Sequence, residues 1–470
     1  MMFGLDLMIF LAILVAGYMA WNIGANDVAN AMGTSVGSKA LTLRNAIIIA
    51  AVFEFLGAFF AGDAVTDTVR KGVLVISEED MAELSTELYY GFIASMLAAA
   101  LWITLATRYG LPVSTTHSIV GGIVGIGIFI DSDLIDYSKV GQIVISWVAS
   151  PLLGGILAYG TFYIIKTMIL DTEDPIERSR WMAPILALPT FFVLSLALQF
   201  KALKYILPSS WLPSKDCAEG LSFINSLESC LPAQSLMTAL VLALLCSIVL
   251  YAILRNYEFE ESGYQGVETI FVWLQVITAC YVAFAHGAND RSNAIGPMAA
   301  VWQVFKSGSL GSEAEVPLWL VLLGSLGIVI GISTWGYRVM KTIGEKITHI
   351  TPTRGFAAQF AAATTVLIFS MPFLAIPIST THTLVGSVVG VGLAGGASSV
   401  DFRVFGKIAA SWVASIPAAG IGAMVLYAIF GLNETRFIIT VLMIMAVIVW
   451  LVYNSIKSGP KVEIEVGNGA

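Results

Sequence analysis

Charge is scarce in this chain. Asp, Glu, Lys and Arg make up 12% of its 470 residues while 57% are hydrophobic, against about 25% charged residues in ordinary soluble domains. Such a composition excludes most soluble enzymes before any motif is read. No block of Lys and Arg interleaved with aromatics occurs, which removes the electrostatic footprint of nucleic-acid binding. Cysteine is rare too: there are 4, without metal-ligand spacing. Cys246 and Cys280 lie in apolar runs, whereas Cys217 and Cys230 share the polar stretch Lys201 to Gln234. They could pair there if that stretch faces an oxidising, extracytoplasmic compartment. The first apolar run, Leu5 to Ile23, lacks a basic leader and a small-residue cleavage pattern, so it is expected to persist as a helix. The net charge of -8 sits in short polar connections such as Ser77 to Glu87 and identifies no partner.

What the chain has instead is apolar length and repetition. Runs long enough for membrane-crossing helices, about 20 residues each, recur from Leu5 to Tyr453. Three motifs then return in the same order. Gly24-Ala25-Asn26-Asp27 with Asn30-Ala31 recurs as Gly287-Ala288-Asn289-Asp290 with Asn293-Ala294. Leu111-Pro112-Val113-Ser114-Thr115-Thr116-His117 recurs as Ile376-Pro377-Ile378-Ser379-Thr380-Thr381-His382, and Trp147-Val148-Ala149-Ser150 as Trp412-Val413-Ala414-Ser415. Asp27 to His117 is 90 positions and Asp290 to His382 is 92, while Ser to Trp is 33 in both halves. Chance does not produce this.

The expected fold is therefore an all-α polytopic membrane protein of two inverted-topology repeats, each with a broken helix and a re-entrant helical hairpin. Residues 1–200 form the first repeat, 201–266 a polar loop and linking helix, and 267–470 the second repeat. The breaks are expected near Gly24 and Gly287. The hairpins fold at Gly110 to Pro112 and Ala375 to Pro377, placing the Ser-Thr-Thr tips inside the membrane. A moderate excess of Lys and Arg in alternate connections puts the N-terminus outside. Opposite entry of the halves then gives the arrangement common to secondary transporters, with substrate bound between repeats.

An acid at membrane depth marks a functional site, which singles out Asp27 and Asp290. Serine or threonine after a proline caps the next helix, and the free N–H groups of that helix attract anions. Ser114, Thr115, Thr116, Ser379, Thr380 and Thr381 add hydroxyl donors around the two tips. Facing tips form a cavity rich in neutral donors, suited to a tetrahedral oxyanion. The nearby carboxylates repel such an anion unless cations or protons arrive with it. Asn26, Asn30, Asn289 and Asn293 can offer an amide to the anion or a carbonyl to the cation. His117 and His382 are expected to bond backbone. His286 stands where the first half has Ile23, and is placed outside the shared site. No nucleophilic triad survives, and no enzyme activity or cofactor is expected.

At Gly24 to Thr42 and at both STTH tips the sequence resembles the inorganic phosphate transporter (PiT) family over nearly its whole length. The resemblance implies a homodimer in which hairpin tips meet at a phosphate site, with phosphate carried alongside sodium or protons, sometimes as a metal-phosphate complex. It assigns phosphate to Ser114, Thr115, Thr116, Ser379, Thr380, Thr381, Asn26 and Asn289. The coupling cation, sodium at Asp27 and Asp290 included, is expected at those two acids with Glu54, which the resemblance matches, and with Asn30 and Asn293, which the side-chain chemistry adds. Two departures stand out: Arg291 replaces a common Val and Gln359 a common Glu. Both make the region less negative, and Arg291 is expected to act as a countercharge for Asp290. The missing soluble insertion of animal members points to a bacterial inner membrane. A sulfate carrier is the alternative substrate reading, and an anion channel the alternative class.

Overall fold

A computed structural model describes residues 2–61, 73–74, 83–203, 206–212, 231–258, 261–308, 316–369 and 378–458. Cys217, Cys230 and Pro377 lie outside them, as do several of the connecting Lys and Arg residues. The described chain is helical, and its β-pairing consists of the isolated bridges Leu74 to Ile135 and Thr348 to Val400. Among the described residues ten helices are long and apolar enough to cross a membrane.

The first half contains α1 (Met2–Gly37), α2 (Leu43–Ala61), α3 (Ser85–Arg108), α4 (Thr115–Ile130), α5 (Tyr137–Ile165) and α6 (Pro175–Ala197). Helix α7 (Ala233–Asn256) links it to α8 (Tyr264–Asp290), α9 (Ser292–Ser307), α10 (Leu318–Trp335) and the single turn α11 (Tyr337–Lys341). Then follow α12 (Pro352–Phe369), α13 (Thr380–Gly395), α14 (Phe402–Phe430) and α15 (Glu434–Ser458). The acids of the connections are largely caps. Asp136 accepts from Lys139 N to start α5, Asp174 from Glu177 N to start α6, and Asp401 from Arg403 N and Val404 N to start α14. Each satisfies a backbone donor that the first turn leaves without an intrahelical partner.

The first hairpin turns at the expected place, whereas the turn expected at Ala375 to Pro377 lies outside the described residues. Gly110 turns the first with φ +66, a left-handed conformation that glycine adopts without penalty. Ser114 then caps α4 by accepting from His117 N at 3.1 Å, and Ser379 caps α13 by accepting from His382 N at the same distance. Both capped helices have 16 residues, about 24 Å at 1.5 Å per residue. That falls short of the ~30 Å hydrocarbon core. Neither helix alone is therefore long enough to cross it, as expected for the second leg of a re-entrant hairpin.

The breaks differ from expectation. Helix α1 runs unbroken for 36 residues through Gly24, and the second counterpart is interrupted at Arg291, between α8 and α9, instead of at Gly287. The glycines serve helix crossing. A Cβ on Gly24 would lie 1.9 Å from the Ile328 carbonyl oxygen, and one on Gly287 2.2 Å from that of Glu54. Backbone meets backbone at both, so the chain needs hydrogen there and keeps its helix.

These crossings join one sequence half to the other. Helix α1 packs on α10, where Gly331 meets Trp21, and α8 packs on α2, where Gly57 meets Phe284. Gly121 and Gly125 of α4 close on Ile416 and Gly420 of α14, while Gly386 and Gly390 of α13 close on Pro151 and Gly155 of α5. Two hairpin bundles result, one of α3, α4 and α14, the other of α12, α13 and α5.

Candidate functional site

The two bundles present their tips to the centre of α1 and to the junction of α8 and α9. Asp27 on α1 and Asp290 at the end of α8 are each 1% exposed, well inside the apolar interior. Thr115 of the first tip donates to Asp27 Oδ2 at 2.7 Å. From the second tip Thr381 donates to Asp27 Oδ1 at 3.1 Å and Thr380 to Asp290 Oδ2 at 3.0 Å. Asp27 therefore holds a hydroxyl from each half.

The asparagines complete the lattice across the halves. Asn30 Nδ2 donates to Thr381 at 2.8 Å and Thr380 at 3.3 Å, and Asn293 Nδ2 to Thr115 and Thr116 at 3.2 Å each. Asn30 Oδ1 is buried without a donor, a carbonyl of the kind hard cations select. Asn289 Nδ2 donates to its neighbour Asp290 at 2.8 Å. Asn26 faces the turn instead. Its amide donates to Thr107 and Leu111 O and accepts from Val113 N, fixing the first tip to α1.

His286 occupies the middle of the acids. Its Nε2 lies 2.6 Å from Asp290 Oδ2 and 3.9 Å from Asp27 Oδ2, and its Nδ1 lies 3.0 Å from Glu54 Oε2. All four residues are no more than 1% exposed. Two carboxylates and one imidazole thus place ligand atoms within 4.8 Å of one another. The enclosed space beside this cluster, bounded by Asn30, His286 and Thr380, measures about 10 Å³. A single water needs roughly that much, so the space is too small for phosphate.

Residues 23–423 match the phosphate transporter family. The chain belongs to that family. It is 42% identical to a Thermococcus kodakarensis protein assigned as a phosphate permease, over 90% of this chain and 98% of that one. It is 40% identical to the chloroplastic inorganic phosphate transporter 2-1 of Arabidopsis thaliana, over 90% of this chain and 72% of the relative. The sodium-dependent phosphate transporter of known structure superposes with a TM-score of 0.78 at 36% identity, covering 91% of this chain and 99% of its own. This phosphate transporter is accordingly a multi-pass membrane protein and not an enzyme. Its relatives live in archaeal, bacterial and chloroplast settings, so membership alone does not select a bacterial inner membrane.

Of the residues expected at the transporter's centre, Asp27, Asp290, Glu54, Asn30, Asn293, Asn289 and the tip threonines do converge there. Ser114 and Ser379 stand at the tips as caps. His286 is the residue that repeat logic missed. Glu54 and Ile328 make equivalent contacts, with Gly287 and Gly24 respectively, and His286 faces Glu54 as Ile23 corresponds to it in the other half. An acid and a histidine in one seam therefore replace two isoleucines in the other. A buried acid and histidine in the same sequence were the available signal.

The two family departures are placed away from the acids. Arg291 is 1% exposed and its guanidinium donates to the Ala58 carbonyl of α2. Among the described residues the ion-pair partner of Asp290 is His286. Successive helical residues point about 100 degrees apart, and Arg291 keeps right-handed helical angles, which turns its side chain from Asp290. Arg291, the expected countercharge, thus faces α2, and the basic side chain beside Asp290 is His286. Gln359 accepts from Thr278 at 2.9 Å and donates to Ala31 O and Ser35 at 2.8 and 3.0 Å, tying α12 to α8 and α1.

Proposed function

We propose that the protein carries inorganic phosphate in symport with a cation, bound between two inverted repeats (1–200 and 267–470) at the Asp27 and Asp290 cluster. The observation that carries this reading is the hydrogen bonding of both acids to threonines at the starts of α4 and α13. Those hydroxyls donate to the two carboxylates. A cation bound to Asp27, Asp290 and the Asn30 carbonyl neutralises the acids and releases the hydroxyls. The freed donors, with the N–H groups of two helix starts, then face an anion. Phosphate binding becomes contingent on the cation, which is what symport requires.

Sodium is the favoured ion, because the superposed transporter is sodium-dependent and the free acceptor is a carbonyl oxygen. Phosphate is favoured over sulfate because it retains an O–H at neutral pH that a carboxylate accepts. A fixed channel fits poorly with a centre whose acids are 1% exposed and whose enclosed space is about 10 Å³. Cation and phosphate enter only when the tips separate.

Phosphate uptake into liposomes, with sodium and proton gradients imposed separately, tests the proposal. A sodium gradient is expected to drive accumulation that sulfate does not inhibit. Accumulation driven by a proton gradient alone transfers the coupling to protons, and uptake indifferent to both gradients overturns symport.

A further inference from the structure

Helix α8 holds the second hairpin by two carboxylates at opposite ends. At its end, Asp290 accepts from Thr380 at the start of α13. At its start, 22 positions earlier and about 33 Å away at 1.5 Å per residue, half-buried Glu268 accepts from Thr353 N at 2.8 Å and from Thr353 Oγ1 at 2.9 Å. A carboxylate there satisfies a backbone donor that the first turn of α12 leaves open, and complements the partial positive charge of that helix end. Arg354, the next residue, lies over the Phe162 ring of α5 at 5.3 Å, donates to His349 O at 2.8 Å and sits against Gly395 at the end of α13. The bases of α5, α12 and α13 thus form one body, and Glu268 fastens that body to α8.

The fastening is confined to the lower part of α12. Thr278 donates to Gln359 at 2.9 Å, and among the described residues no polar bond joins α8 to α12 beyond that pair. The facing residues there are small: Ala285 of α8 and Ala362 and Ala363 of α12 border the space of about 10 Å³ beside His286. The first hairpin is held otherwise. Thr104 of α3 donates to Asn22 of α1 at 2.8 Å, and Asn26 binds Thr107, Leu111 O and Val113 N, so polar bonds follow α1 up to the residue before Ser114. Asn289, the counterpart of Asn26, gives its amide to Asp290 instead. The second tip is held by the bonds of Thr380 and Thr381 to Asp290, Asp27, Asn30 and the Val113 carbonyl.

We propose that Glu268 is a positioning residue for transport. It pins the base of the second bundle to α8, so that when the tips separate this bundle swings about Thr353 while the first bundle stays with α1. The alanine-lined upper contact lets the tip slide, and the polar base keeps the register to which the tip returns. The inference rests on the symport reading in one respect, that a bound cation releases Thr380 and Thr381.

Spin-label distances in the full chain in liposomes test the swing, with the 4 native cysteines replaced by Ser. Ile330 on α10 marks the scaffold that packs on α1, Ile156 on α5 the second bundle and Val413 on α14 the first, and all three are exposed. Sodium added with phosphate is expected to shift the distance in the Ile330→Cys, Ile156→Cys pair and to leave that in the Ile330→Cys, Val413→Cys pair unchanged. Equal shifts in both pairs, a shift confined to the Val413 pair, or no shift while phosphate is bound in the same sample overturns the proposal. Uptake tests the pin. Glu268→Gln keeps the shape but leaves one oxygen to accept. Its maximal uptake rate is expected to fall about tenfold, as for loss of one hydrogen bond to a charged group, with equilibrium phosphate affinity unchanged. Thr353→Val should behave alike, whereas Thr353→Ser, which keeps the hydroxyl, should retain the parent rate. A parent rate in both Glu268→Gln and Thr353→Val, or an affinity that falls in step with the rate, removes Glu268 from the mechanism. Phosphate binding that needs no sodium sinks the symport reading instead, and the two distances still report which bundle moves.

Discussion

His286 touches three carboxylates at once, and its role follows from counting charges. Asp27, Asp290 and Glu54 share one imidazole in the buried interior, so at most part of their charge is balanced without an added cation. Removing one member of a buried charged group costs about 3 to 5 kcal/mol. His286→Ala is therefore expected to lower the melting temperature and abolish uptake. Sodium should restore more of the melting temperature in this variant than in the parent, because a ligand bound only to the folded state stabilises it. Thermal unfolding across a sodium series decides; a sodium response equal to that of the parent sinks the cation assignment at this cluster. Asp27→Asn keeps the shape and one of the two oxygens that accept from Thr115 and Thr381, but removes the charge. It is expected to fold, to bind phosphate weakly, and to lose the sodium dependence of uptake; unchanged dependence would remove Asp27 from coupling. The sequence disclosed the paired acids because both halves carry them. It concealed His286 because its counterpart is Ile23, and concealed the clamp made by Asn26 because its partners lie 81 to 87 positions away.

Helix starts and helix crossings carry the site at the next scale. Ser114 and Ser379 each hold the first turn of a tip helix, and loss of such a cap costs about 1 kcal/mol. Ser114→Ala and Ser379→Ala are both expected to weaken phosphate affinity, close to fivefold each for ~1 kcal/mol at 1.4 kcal/mol per decade. Equilibrium binding to purified protein checks this, and an unchanged affinity in both variants removes the tips from the anion site. The crossings tolerate less. Gly287→Ala pushes a methyl group into the Glu54 carbonyl, and overpacking of this kind costs roughly 1 to 3 kcal/mol. Its melting temperature should fall, with uptake lost because Glu54 is displaced from His286. The hairpin positions were readable from Pro112 and the repeated hydroxyls. The crossings were not, because Gly24 reads equally as a helix break when the opposing Ile328 is 304 positions distant.

For the molecule as a whole, the halves that the sequence separates are not the bodies that pack. The hairpin of the first half is bound to the Trp helix of the second: Trp102 donates to Ser415 at 2.9 Å and Trp412 to the Pro112 carbonyl at 3.1 Å. The reciprocal bundle joins His382 to the Trp147 carbonyl at 3.4 Å, and α1 joins α10 where Trp21 donates to Thr334 at 2.8 Å. Backbone-to-backbone glycine contacts leave no slack in these pairs, whereas the described contacts between the bundles are made by tip residues and by the rings of His117, Trp147, His382 and Trp412. Opening of the site should therefore separate bundle from bundle and leave each bundle rigid. This can be tested by locking α3 to α14, since a Cβ on Gly422 would lie 3.3 Å from the Ala98 Cβ, close to the ~3.5 to 4.5 Å of a disulfide. The Ala98→Cys, Gly422→Cys pair links the first sequence half to the second within one bundle. Oxidised protein is expected to take up phosphate at the same rate as its reduced form. If instead each sequence half moved as a rigid unit, that cross-link would fasten the moving parts together, and uptake would stop until a reductant released it.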